Sequence, residues 1–226
     1  MNVKQLAAEK AVEYVQDGMK VGLGTGSTAY WAIKKLGERV SAGLQITAVA
    51  TSQASEDQAR ELGIPLVSFG EVDRLDLTID GADELDGELQ LIKGGGGALL
   101  REKIVATGSD RMIVIADESK AVTTLGKFPL PVEIVPFAWE WTIADLAKLG
   151  CKPELRRSGD SLYKTDNGNY IADCHFEAIA SAPELALSLQ RIPGVVEHGL
   201  FIGIASMAVI GKGDGTIEIV EGGQHH

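Results

Sequence analysis

Apolar residues recur at helical spacing over residues 3–17, at Val3, Leu6, Ala7, Ala11, Tyr14 and Val15, and this stripe predicts an opening helix. Residues 19–24 read as a short strand running into glycine. A second helix is predicted from Thr28 to Val40, with Ala32, Ile33, Leu36 and Val40 on one face. Beyond it the pattern alternates: strand 44–50, helix 55–62, strand 65–69, strands at 75–79 and 89–92, helix 97–107, and an apolar strand at 111–116. Strands alternating with helices at short spacing indicate an α/β fold, a mostly parallel sheet with helices on both faces.

The rhythm changes after Gly126. Residues 127–131 read as a linker, followed by strand 132–135 and a helix over 137–149. Strands at 154–157 and 161–164 precede Thr165-Asp166-Asn167-Gly168-Asn169, which carries hairpin turn chemistry ahead of strand 170–174. A helix over 183–190 and a return through 199–203 complete an inserted α+β module. Residues 208–211 and 216–220 are expected to rejoin the first sheet. The division expected is thus residues 1–126 with 204–226 as one domain and 127–203 as a smaller one.

Composition narrows the choice of function. The chain has 226 residues, 45% hydrophobic and 23% charged, the balance of an ordinary globular protein. No apolar run approaches the ~18–20 residues of a membrane span, and the polar, helical N-terminus does not resemble a signal segment. Cys151 and Cys174 are the two cysteines, too few for a disulfide framework, and they read as free thiols of a reducing cytoplasm. The formal net charge of −11 argues against a nucleic-acid partner, which would call for a basic face. It also means that an anionic substrate must be held by local devices: helix N-termini, backbone N–H groups and a few placed cations. The tail Gly222 to His226 reads as a frayed end, in part resembling a tag, and stays out of the fold argument.

Five unusual segments each follow a predicted strand: Gly24–Thr28, Thr51–Ser55, Asp80–Asp83, Lys93–Gly97 and Asp117–Lys120. In an open parallel sheet ligands bind at the carboxyl ends of strands, so these segments are expected to share one crevice. Gly22, Gly24 and Gly26 do not have dinucleotide-loop spacing, and the next strand ends in Thr51 and Ser52 rather than an acid. What remains is a glycine turn opening a helix with two hydroxyls, either a phosphate cradle or a plain capped turn. Four consecutive glycines after Lys93 suit a loop that turns backbone N–H groups toward an oxyanion. Asp80 and Asp83 leave one tight turn, where two acids can divide acid and base work, bind a metal or simply close an Asx turn. A metal is disfavoured because none of His175, His198, His225 and His226 has ligand spacing. By spacing alone, Glu102 reads as a solvent-facing helix residue.

Taken in order, Gly22–Ala29, Ile79–Glu84, Lys93–Lys103, Ala116–Lys120, Gly126–Val135, Thr165–Asn169 and Ile192–Phe201 resemble the A-type ribose-5-phosphate isomerases over nearly the whole chain. The departures, Thr51 and Gly97, touch no catalytic position. The resemblance implies a Rossmann-like main domain, a smaller lid-like α+β domain used in oligomer contacts, and a homodimer or homotetramer working without a cofactor. It implies substrate contacts from Thr25, Gly26, Ser27 and Thr28, from Asp80, Gly81, Ala82 and Asp83, from Lys93, Gly94, Gly95 and Gly96, and from Lys120. It makes Glu102 the proton acceptor, against the reading from spacing. The implied reaction interconverts ribose 5-phosphate and ribulose 5-phosphate through an enediolate, with Asp80 and Lys93 assisting. A sugar-phosphate-sensing regulatory domain and an amino-sugar-phosphate deaminase or CoA-transferase-like enzyme are the rivals on such a fold.

Overall fold

The computed structural model describes residues 2–222; the tail beyond Gly222, with His225 and His226, lies outside the described residues. The chain forms two compact units, residues 2–82, 101–121 and 203–222 in the first and residues 83–100 and 122–202 in the second.

The first unit is built on a six-stranded sheet of β1 (Lys20–Leu23), β2 (Thr47–Ala50), β3 (Leu77–Gly81), β6 (Met112–Asp117), β14 (Met207–Gly211) and β15 (Ile217–Glu221). Their order across the sheet is β15-β14-β6-β3-β1-β2. All pairs are parallel except β14 with β15, the antiparallel edge. Alternation along the strands decides which helices cover which face. Val21, Leu23, Ala48, Leu77, Ile79, Ile113, Ile115, Met207 and Val209 point to one face and pack with Ala7, Ala11, Ile33, Leu36 and Ala59. Those residues come from α1 (Val3–Val12), α2 (Ala29–Ser41) and α3 (Gln53–Glu61). On the opposite face Val49 packs with Val105 of α4 (Leu99–Thr107) and with Leu75. Each Val, Leu, Ile or Met side chain among them, fully buried, contributes about 1.5–3 kcal/mol relative to exposure.

The expected strand at 65–69 is absent. Leu66 makes only an isolated bridge to Ala48 at the open edge of β2, because Pro65 has no N–H to extend a ladder and the chain turns into a 3₁₀ helix from Phe69. The opening helix also stops at Val12 rather than at residue 17; residues 13 and 14 form a turn before β1.

The second unit has a four-stranded antiparallel sheet, β12-β7-β11-β8. Its strands are β7 (Leu130–Ile134), β8 (Lys152–Leu155), β11 (Tyr170–His175) and β12 (Val195–His198), covered by α5 (Trp139–Ala147) and α6 (Ala182–Gln190). A small hairpin joins β9 (Arg157–Ser158) to β10 (Ser161–Leu162). A three-stranded sheet joins β4 (Glu84–Leu85), β5 (Leu91–Ile92) and β13 (Leu200–Phe201). Residues 83–100, which the sequence division keeps with the first domain, therefore cluster with the second. The physical reason is that β5 pairs with β13 and Ile92 sits in the core of Leu130, Val132, Ile134 and Leu189.

Candidate active site

In the first unit the parallel strands β1, β2, β3 and β6 end at one edge of the sheet, and four of the five singled-out segments follow them there, the third of them as far as Ala82. Gly24 follows β1, and a Cβ placed on it would stand 2.1 Å from Asp80 Oδ1. Only glycine lets the turn approach that carboxylate. Asp80 lies near the end of β3 and is fully buried. Its Oδ1 accepts hydrogen bonds from the N–H groups of Thr25 (3.0 Å) and Gly81 (2.7 Å). Two charge-assisted contacts to the main chain fix its direction.

The Thr25 hydroxyl belongs to a net with Thr51 Oγ1 (2.7 Å), Ser52 Oγ (2.8 Å) and Ser55 Oγ (3.2 Å). Thr51 and Ser55 in turn donate to the carbonyls of Leu23 (3.0 Å) and Gly24 (2.7 Å). The polar cluster after β2 thus braces the first turn. The exposed tip is Gly26 and Ser27, with half-buried Thr28 just before the first turn of α2, where helix N–H groups favour anions. Lys4, in the first turn of α1, donates from Nζ to Ser27 Oγ at 3.0 Å. Sequence reasoning passes over Lys4, because the contact joins elements 23 residues apart and no local motif marks it. Half-buried Lys120 closes a short 3₁₀ turn, Glu118–Lys120, after β6, where Asp117 Oδ1 accepts from Ser119 N–H (3.1 Å).

Glu102 does not face solvent as its spacing suggests. It is 3% exposed and shares the buried side of α4 with Leu99, Val105 and Ala106. A carboxylate on the core stripe of a helix is costly unless it is hydrogen-bonded or used.

In the second unit, Lys93 follows β5 and is 2% exposed, its Nζ 5.4 Å from the Phe201 ring centroid. Its N–H donates to the Gly199 carbonyl at 2.9 Å. The glycines after it form a β-turn in which Gly97 N–H donates to Gly94 O at 2.9 Å, with Gly95 and Gly96 exposed at the crest. Asp83 Oδ2 accepts from Gly95 N–H at 2.7 Å. Tyr163 lies against the turn, and burial holds its phenol above the ordinary pKa, partly offset by the charge of Arg156. Glu84, 4% exposed, accepts from Gly126 N–H (2.7 Å) and Phe128 N–H (2.6 Å) and so anchors the linker. Among the described residues no group of three or more His, Cys, Asp or Glu is placed to hold a metal ion, and no helix is long and apolar enough to cross a membrane.

A parallel sheet with helices on both faces, carrying a glycine turn and a buried acid at its strand ends, defines an α/β enzyme of small polar ligands. Comparison with known proteins narrows this class. The sequence profile of ribose 5-phosphate isomerase A (phosphoriboisomerase A) matches residues 47–215. The chain is 56% identical over 219 residues to ribose-5-phosphate isomerase A of Bacillus mycoides (strain KBAB4), covering 96% of this chain and 99% of that one. Ribose 5-phosphate isomerase from Plasmodium falciparum superimposes with a TM-score of 0.95 at 40% identity, covering 98% of this chain and 99% of its own. A D-ribose-5-phosphate isomerase in complex with phospho-erythronic acid does so with a TM-score of 0.94 at 40% identity, covering 98% and 100%. The chain belongs to the ribose 5-phosphate isomerase A family. Nothing in these comparisons favours the sensing-domain or deaminase readings.

Proposed function

We propose that this chain interconverts D-ribose 5-phosphate and D-ribulose 5-phosphate, with Glu102 as the base that moves a proton between C2 and C1. The observation that carries the assignment of roles is the burial of Glu102 on α4 directly after the glycine turn, in a chain of this family. Glu102 removes the C2 proton of the open-chain aldose, and the electron pair moves toward O1 as the enediolate forms. The same carboxyl then returns the proton to C1 while the O2 hydroxyl proton passes to O1, giving the ketose. Such positioned proton transfer supplies about 10²–10⁴-fold in rate.

Asp80, held by two backbone N–H groups, assists ring opening and hydroxyl proton movement, and Gly81 and Ala82 carry the backbone past the sugar. Asp83 binds sugar hydroxyls. Lys93 and the N–H groups of Gly94, Gly95 and Gly96 stabilise the developing oxyanion, the main electrostatic task of the step. Thr25 and Gly26 shape the phosphate turn, and Ser27, Thr28, Lys4 and Lys120 hold the phosphate. The reaction as written uses no metal and no organic cofactor. The enzyme acts in the cytoplasm as a homodimer or homotetramer, in the pentose phosphate pathway.

The test is formation of ribulose 5-phosphate from ribose 5-phosphate by the purified chain in the presence of a chelator. Saturable turnover that vanishes in Glu102→Gln is the expected result. Absence of turnover in the folded wild type would overturn the substrate assignment.

A further inference from the structure

Arg156 belongs to none of the five strand-end segments that the sequence singles out, yet its guanidinium grips the glycine turn. It sits between β8 and β9, its backbone N–H bonded to the Ile171 carbonyl (2.8 Å) and its carbonyl accepting from Tyr163 N–H (2.9 Å). Its guanidinium forks onto the Asp173 carboxylate, Nε to Oδ2 at 2.9 Å and Nη2 to Oδ1 at 2.5 Å. The remaining nitrogen, Nη1, donates to two successive carbonyls of the turn, Gly94 O at 3.0 Å and Gly95 O at 3.1 Å. The Arg156 and Asp173 side chains are only 15% and 22% exposed, so this is not a solvated surface pair of negligible effect.

A trans peptide points its N–H opposite to its C=O. When two successive carbonyls converge on one nitrogen, the N–H groups of the same two peptides, those of Gly95 and Gly96, turn to the far side. Successive N–H groups turned to one side form a concave anion site. The first of them already holds a carboxylate oxygen, that of Asp83 at 2.7 Å. A guanidinium on the carbonyl end also polarises each amide and strengthens its N–H as a donor.

We propose that Arg156, locked by Asp173, is a positioning residue for the isomerisation: it aims the Gly96 N–H at the enediolate and, through the Gly95 N–H, holds the Asp83 carboxylate toward the sugar hydroxyls. This inference rests on the reading that the turn acts on that intermediate and Asp83 on the sugar. Lysine cannot replace the residue, because a single ammonium lacks the planar fork that serves a carboxylate and two carbonyls together.

Arg156→Ala, Arg156→Lys and Asp173→Asn are compared with wild type for kcat and KM on ribose 5-phosphate, and for inhibition by phospho-erythronic acid, whose carboxylate is a planar anion like the enediolate. The expected result is a fall in kcat of at least ~10-fold with KM within about threefold, because loss of aim costs the transition state more than the ground state. Affinity for the inhibitor falls in step with kcat, which mere loosening of the fold would not produce. Arg156→Lys keeps the charge but not the rate, so it carries the test if Arg156→Ala does not fold. Arg157→Ala, which removes a guanidinium whose Nη1 donates to the Asp160 carbonyl (3.0 Å), keeps the wild-type kcat. Gly95→Ala separates the two readings, since its Cβ would stand 2.5 Å from Asp83 Oδ1. Wild-type kcat in Gly95→Ala overturns the role of the turn, and this inference with it. A crippled Gly95→Ala beside Arg156 variants of normal kcat and normal inhibitor affinity overturns the inference alone.

Discussion

At the residue scale, Glu102 shows how little a local pattern says about where a helix side chain ends up, here a proposed catalytic position. Its neighbours Arg101 and Lys103 are charged, and a Glu between them reads as one more solvated side chain. The helix phase nevertheless turns it inward with Leu99 and Val105. Glu102→Gln keeps the size and hydrogen-bonding capacity while removing basicity, so kcat falls at least ~10²-fold and KM changes little. Steady-state kinetics on a mutant of native circular dichroism checks this, and near-normal turnover would end the assignment. The proposed phosphate contacts behave differently. Lys120→Ala and Lys4→Ala each remove one point charge from a ligand that a protein of net charge −11 otherwise repels. Each raises KM for ribose 5-phosphate by about tenfold, equivalent to ~1.4 kcal/mol, and leaves the much poorer turnover of unphosphorylated ribose nearly unchanged. Equal proportional losses on both sugars would move these lysines from the phosphate to the sugar.

At the element scale, the turns proposed to carry the chemistry are held by side chains from elsewhere. The hydroxyls of Thr51, Ser52 and Ser55 brace the turn after β1, and Arg156 braces the turn after β5. Glu84 does the same for the linker ahead of β7 by accepting two backbone N–H groups. Glu84→Ala leaves both donors without their buried charged acceptor and lowers the stability of the protein by about 2–4 kcal/mol. Urea unfolding followed by fluorescence measures it; a midpoint unchanged from wild type would show that the linker is held by other contacts. Glutamine at position 84 can still accept through its carbonyl oxygen and recovers part of the loss.

At the scale of the whole molecule, the proposed reaction asks nothing of a metal. Activity survives exhaustive dialysis against EDTA with kcat within twofold of the undialysed enzyme. Loss of activity that added Mg²⁺ or Zn²⁺ restores would overturn this expectation. Sedimentation of the active enzyme gives the mass of two or four chains, and an active species of one chain would refute the proposed oligomer.

The alternation of apolar and polar positions by itself determined the parallel sheet, its covering helices and an inserted α+β module, because strand and helix periods are local properties of the chain. The order of the motifs determined the family. The sequence also placed Gly24–Thr28, Asp80 and Lys120 at strand ends, since each directly follows an apolar run. Tertiary structure alone decided the rest. It demoted the 65–69 strand to a single bridge at the sheet edge, and it drew residues 83–100 to the second core through the pairing of β5 with β13. It buried Glu102 and Lys93, set Lys4 on Ser27 and closed Arg156 on the glycine turn across 61 and 62 positions of chain. These are contacts between residues far apart in sequence, and no window of local periodicity holds both partners at once.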